Sequence, residues 1–134
     1  MAQDQDNELF DLAAHAMSKA YVPYSKFTVG AAIRTSSGST YSGCNVENAS
    51  YPEGMCAEAG AIASMVLDGQ TKIESIYVIG KGDALVTPCG GCRQKIREFS
   101  TSKTMIHICD PEGVKKSMTM EELLPFSFGP ENLK

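Results

Sequence analysis

No stretch of this 134-residue chain is apolar for long enough to cross a bilayer as a helix. The run "AIASMVL", Ala61 to Leu67, falls far short of the roughly 20 residues required. The beginning, "MAQDQDNELF", lacks the basic start and apolar centre of a secretory leader, which makes the cytosol the expected compartment. Positive charge is also scarce: 12 Lys and Arg stand against 16 Asp and Glu, for a net charge of −4 and a pI near 5.1. The basic residues are scattered, whereas a nucleic-acid partner must be met by clustered Lys and Arg that displace counterions. A small-molecule substrate is therefore expected, with neither nucleic acid nor membrane as partner. Repeats, linkers and low-complexity segments are missing too. With 43% hydrophobic and 21% charged residues, the composition is that of an ordinary globular protein. The length suits one domain spanning 1–134.

What the chain does have is five cysteines, Cys44, Cys56, Cys89, Cys92 and Cys109, without the secretory setting in which disulfides persist. Metal binding, catalysis or burial must account for them, and only Cys89 and Cys92 form a C-x-x-C pair. A redox dithiol, a structural metal knot and a catalytic metal site compete.

Periodicity assigns the surroundings. Leu9, Leu12, Ala13, Ala16, Met17 and Ala20 recur at helical spacing over Glu8–Ala20, with Asp6 or Asn7 as the expected cap. Pro23 breaks that pattern, and Val29, Ala31 and Ile33 then alternate as in a strand. "SSGS" at 36–39 reads as a hairpin turn into "TYSGC". "NVENASYPEG" is a polar loop, followed by a helix over Cys56–Leu67. "SIYVIG" at 75–80 and "TMIHIC" at 104–109 are strands flanking a helix headed by Pro88. "DPEG" at 110–113 is a turn, and "MEELLP" a short helix stopped by Pro125. This alternation predicts a three-layer α/β/α domain with a mixed sheet.

Cys56 thus begins one helix, and Cys89 and Cys92 lie in the first turn of another. Helix N-termini carry partial positive charge and free N–H groups that stabilise thiolates. Three converging thiolates match a catalytic zinc site, which uses three protein ligands and leaves one position for water. Glu58, in the same turn as Cys56, can reach such a water as general acid and base without binding the metal. On its own, Glu58 would be read more simply as a first-turn acid complementing the helix dipole.

"CAE" at 56–58 and "PCGGCRQ" at 88–94 resemble the zinc deaminase signature in its three-cysteine form. With "PYSKFTVGAA" at 23–32, "GCNVENASYPEG" at 43–54 and "ELLPFSFGP" at 122–130, the chain resembles the small homotetrameric cytidine deaminases over nearly its whole length. The resemblance implies one zinc ion per chain on Cys56, Cys89 and Cys92, with Glu58 shuttling protons as zinc-bound hydroxide attacks C4 of cytosine. It implies main-chain contacts to the pyrimidine from Ala57 and Cys89, a stacking ring from Phe27, and a grip on the ribose hydroxyls from Asn45 and Glu47. Tyr51 and Phe128 match aromatics that reach a neighbouring subunit's pocket. The implied activity is hydrolysis of cytidine, and of 2′-deoxycytidine, to the uracil nucleoside and ammonia in pyrimidine salvage.

Plainer roles exist for each of these residues. Asn45 and Glu47 suit turns, Phe27 and Phe128 suit a core, and Cys44, Cys109, His15 and His107 read as structural. The nearest functional rival is an antibiotic-modifying deaminase, against which the ribose-matching "NVEN" favours the nucleoside. The chain also departs from the resembled pattern. Ala59 stands where three-cysteine members usually carry arginine, and Arg93 is the candidate to replace that charge if it turns inward.

Overall fold

Along the strand "VGAAIRT", Ala31 and Ile33 point to one side of the sheet and Ala32 to the other. All three are buried, so both faces of this sheet must be covered. The computed structural model describes residues 2–133 and meets that demand with helices on each face. In chain order the elements are α1 (Ala2–Ser18), β1 (Val29–Thr35), β2 (Thr40–Cys44), α2 (Ala57–Leu67), β3 (Ile73–Gly80), α3 (Gly90–Glu98), β4 (Met105–Asp110), β5 (Gly113–Thr119) and α4 (Met120–Leu123). Short 3₁₀ turns occupy Tyr51–Glu53 and Pro130–Leu133. The five strands lie in the order β2-β1-β3-β4-β5. Only β3 and β4 are parallel, joined through α3, and the other neighbours are antiparallel. The expected mixed sheet between helical layers is what the chain forms.

Strand alternation sorts the core into two halves. On one face, Ala31, Ile33, Ile76, Val78, Ile106 and Ile108 pack against Ala57, Ala61 and Met65 of α2, Ile96 of α3, and Met120 and Leu123 of α4. On the other, Ala32, Tyr77, Ile79 and Cys109 meet Leu9 and Ala13 of α1. Cys109 is a buried core thiol, pushed up to about 12 chiefly by desolvation, as its reading as a small hydrophobe requires.

Four elements differ from the sequence reading. The first helix begins at Ala2, so Asp6 and Asn7 lie inside it rather than capping it, and it ends at Ser18. Its first turns, "AQDQD", carry few apolar residues, and apolar periodicity marks only the part of a helix that packs. The strand β5 was not anticipated: "GVKKSMT" has two lysines at its centre, which suits an exposed sheet edge and hides the alternation. The 3₁₀ turn at Tyr51–Glu53, within the stretch read as a polar loop, and the closing one at Pro130–Leu133 carry no sequence signal either.

Two glycines set how near the helices come. A Cβ at Gly30 would lie 2.1 Å from the Ala13 carbonyl oxygen of α1. At Gly43 of β2 it would lie 2.4 Å from the Ala61 nitrogen and 2.5 Å from the Ala57 oxygen of α2. The helix that begins after Cys56 therefore rests on bare backbone. Gly43→Ala is expected to cost about 3 kcal/mol in a denaturant melt, because backbone must move to admit the methyl group. Gly60, facing Gly43 from α2, has ordinary room, since an added Cβ meets the Gly43 Cα at 3.6 Å. Gly60→Ala should match or exceed wild-type stability through its helix preference. Equal midpoints for the two variants would refute this account of the packing.

Candidate active site

The residues at the starts of α2 and α3 are both cysteines in extended conformation. Cys56 has φ −77° and ψ 155°, Cys89 has φ −67° and ψ 168°, and neither side chain caps its own helix. Their sulfurs remain available. Cys92, in the first turn of α3, is buried, while Cys56 and Cys89 are exposed. The three Sγ atoms lie within 4.8 Å of one another. In a tetrahedral site with metal–sulfur bonds of about 2.3 Å, thiolates stand roughly 3.8 Å apart, so modest side-chain rotation closes the cluster on an ion.

The electrostatics of the cluster call for a cation. Cys89 is pulled below the ordinary thiol range, first by the Cys92 amide donating to its sulfur. Burial pushes Cys56 and Cys92 up, and the charges of Glu58 and of neighbouring sulfurs push them further. Glu58 is only 4% exposed, and desolvation holds its carboxyl above the usual carboxylate range despite its own amide and the charge of Lys95. Glu58 and the neighbouring sulfurs thus oppose the anionic forms of Cys56 and Cys92, and a divalent ion would relieve that opposition. The donor set fits zinc: three sulfurs, with one acid beside them outside the cluster.

A cavity of about 200 Å³ opens over the sulfurs. Of the residues expected at the site, Phe27, Asn45, Cys56, Ala57, Glu58, Cys89 and Cys92 line it together. Val29, Val78, Val86 and Thr87 complete the wall. Glu47 and Tyr51 line a neighbouring cavity of about 390 Å³ with Tyr24, Ser25, Asn48 and Gly54. Phe128 is 58% exposed on the surface, and its carbonyl accepts a bond from Gln94 Nε2 at 2.9 Å. The core alternative for Phe128 is excluded by that exposure.

The polar pair in "NVEN" is held by backbone. Asn45 Oδ1 accepts from the Val29 amide at 2.8 Å, and its Nδ2 donates to the Phe27 carbonyl at 2.9 Å. One N–H is left to donate. Glu47 Oε1 accepts from the amides of Tyr24 and Ser25 at 3.0 and 3.1 Å, and Oε2 accepts from the Ser25 hydroxyl. These bonds, the Ser25 hydroxyl first, hold its carboxyl below the usual range, so it stays a charged acceptor. Asn45 and Glu47 are thus turn-fixing residues and cavity-lining residues at once.

Arg93 takes a position the sequence left open. Its Nε donates to the Pro88 carbonyl at 2.8 Å, one amino group to the Leu123 carbonyl at 3.0 Å, and the other to Thr87 Oγ1 at 3.2 Å. The guanidinium ties the segment entering Cys89 to the end of α4. Ala59, where the extra arginine was looked for, is half-buried.

A layered α/β sheet with three thiols and a sequestered acid where two helices begin defines a metal-dependent hydrolase. The model of the cytidine and deoxycytidylate deaminase zinc-binding region matches residues 3–108. The cytidine deaminase of Sporosarcina psychrophila is 40% identical over 118 residues, covering 88% of this chain and 87% of that protein. A probable cytidine deaminase of Dictyostelium discoideum is 37% identical over 134 residues, covering 99% and 90%. The crystal structure of a cytidine deaminase from Burkholderia pseudomallei superposes with a TM-score of 0.86 at 37% identity, covering 91% of this chain and 98% of that one. This chain belongs to the cytidine and deoxycytidylate deaminase family.

The cluster sets an expected outcome for thiol labelling. In metal-loaded protein Cys56 and Cys89 should react slowly despite their exposure, and a chelator should speed both, while Cys92 and Cys109 stay slow because they are buried. Peptide mapping by mass spectrometry resolves the five sites. Fast, chelator-insensitive reaction of Cys89 and Cys92 as a pair would point to a redox dithiol instead.

Proposed function

We propose that the chain is a cytidine deaminase that converts cytidine, and 2′-deoxycytidine, to the uracil nucleoside and ammonia, in the cytoplasm and in the service of pyrimidine salvage. One observation carries this reading: the three-thiol cluster and buried Glu58 occur in a chain that shares 40% identity with a cytidine deaminase over 88% of its length. No helix among the described residues is long and apolar enough to cross a membrane.

Cys56, Cys89 and Cys92 would hold one zinc ion per chain, which when bound supplies a Lewis acid that brings water toward ionisation near neutral pH. Glu58 takes one proton from the water that adds at C4 and delivers it to N3, where it stays, and then carries the remaining hydroxyl proton from C4 to the departing amino group. Its buried position suits this work, since desolvation raises the proton affinity of the carboxyl and so favours its accepting a proton from water. Ammonia leaves as the C4 carbonyl forms, so water in and ammonia out balance. Main-chain groups of Ala57 and Cys89 hold the pyrimidine edge, and the Phe27 ring covers its face. Asn45, with one N–H left to donate, and Glu47, a charged acceptor, hold the ribose hydroxyls.

Tyr51 and Phe128 serve the site of a neighbouring subunit in a homotetramer. Their exposures of 76% and 58% support this, since large aromatics are seldom left in water without a partner.

Glu58→Gln should keep the fold and the metal content and lose about 10²–10⁴-fold in turnover, the usual worth of a positioned acid–base group. Near-normal turnover at unchanged zinc would remove Glu58 from the reaction. Loss of cytidine turnover on chelation, and its return with zinc, tests the metal in the same assay. Phe128→Ala should raise KM for cytidine with little change in melting temperature, and dilution below the assembly range should weaken activity. A fully active monomer would overturn the shared site.

A further inference from the structure

Beside the residues assigned to substrate stands one that the activity has not used. Ser25 lies in the exposed turn before β1, where a serine would ordinarily be dispensable. Its hydroxyl is bonded on both sides: it donates to Glu47 Oε2 and accepts from the Phe27 amide at 3.0 Å. A hydroxyl has one proton to give, and here it goes to the carboxylate, leaving the oxygen lone pairs for the amide. The Ser25 amide donates to the other carboxylate oxygen at 3.1 Å. Glu47 is therefore gripped by one residue at both of its oxygens.

The same turn fixes the ring. The Phe27 amide is held by Ser25, and its carbonyl by Asn45 Nδ2 at 2.9 Å. Phe27 thus has each flanking peptide group tied to the network that carries Glu47 and Asn45. Between Ser25 and Phe27, Lys26 sits at φ 61°, a left-handed conformation that a non-glycine residue keeps only where its surroundings enforce it. Glu47 faces one cavity with Ser25, and Phe27 faces the cavity over the sulfurs. Ser25 lines the first and is bonded to the amide of a residue that lines the second.

We propose that Ser25 is the positioning residue of the nucleoside pocket, its hydroxyl holding the Glu47 carboxylate that meets the sugar in a constant relation to the Phe27 ring that meets the base. This rests on the nucleoside reading above and adds to it a residue that touches no substrate. Since the sulfurs and Glu58 lie on other elements, Ser25 acts on binding and leaves the chemical step alone.

The test is a cycle of wild type, Ser25→Ala, Glu47→Ala and the double variant, with kcat and KM for cytidine and zinc content measured on the assembled enzyme. Ser25→Ala should raise KM about tenfold, the lower end of what a hydrogen bond to a charged group is worth, with kcat within about twofold and zinc unchanged. Ser25→Thr keeps the hydroxyl and should stay within about threefold of wild-type KM. A loss of stability alone would not separate Ala from Thr in this way. In the Glu47→Ala background, Ser25→Ala should cost no more than about threefold further, because its main partner is gone. A wild-type KM for Ser25→Ala, a fall in kcat instead of a rise in KM, or full additivity with Glu47→Ala would each overturn the proposal. If Glu47→Ala itself leaves KM unchanged, the assignment of Glu47 to the sugar fails and this proposal with it. If Glu47→Ala raises KM and Ser25→Ala does not, only the role of Ser25 fails.

Discussion

The structure depends on bringing two helix N-termini, 33 residues apart in sequence, to one point. Sulfurs from Cys56, Cys89 and Cys92 must lie within one ion's reach, and each sits at a helix start, where the backbone has donors to spare. The sheet supplies the alignment. Its bare glycine at position 43 seats α2 against β2, and the parallel β3–α3–β4 unit delivers α3 on the same face. A shift of one residue in either support would turn a sulfur away from the others.

That convergence is unfavourable for the protein alone. Loss of water raises the proton affinity of Cys56, Cys92 and Glu58, and the charge of Glu58 raises it further at both thiols. Groups that oppose one another in a partly desolvated cluster add little to stability, and their persistence is explained by what they do together. The chain leaves a deficit of positive charge that a cation can fill. Arg93 supplies structure near this point, joining the Pro88 carbonyl before Cys89 to the Leu123 carbonyl of α4, while Ala59 brings no charge of its own.

Much of this was legible in the sequence, and the reasons differ by element. Periodicity located β1, β3, β4 and the packed part of α1, because burial on one or both faces leaves a repeating apolar mark. It could not find the polar first turns of α1 or the lysine-bearing edge strand β5, whose places are set by neighbours instead of by their own pattern. The spacing of Cys56, Glu58, Cys89 and Cys92 exposed the centre of the site, since metal chemistry admits few donor types. What stayed hidden was Ser25. Single serines in turns carry no signal, and only the bonds to residues 27 and 47 reveal its place. The fate of Arg93 was hidden likewise, because nothing in a run of letters says which carbonyl a guanidinium will meet.

Asn45 and Glu47 show that a polar residue can fix a turn and line a cavity at the same time. Their side chains do turn-forming work, accepting from the amides of Val29, Tyr24 and Ser25. Those same bonds orient the amide and hold the carboxylate charged. Polar groups that must meet a ligand in one geometry lose less freedom on binding if the backbone has already set their rotamers. A loop built this way behaves as part of the scaffold. Its left-handed residue, Lys26, is then a consequence of closing the turn tightly enough for Ser25 to bond both Glu47 and the Phe27 amide.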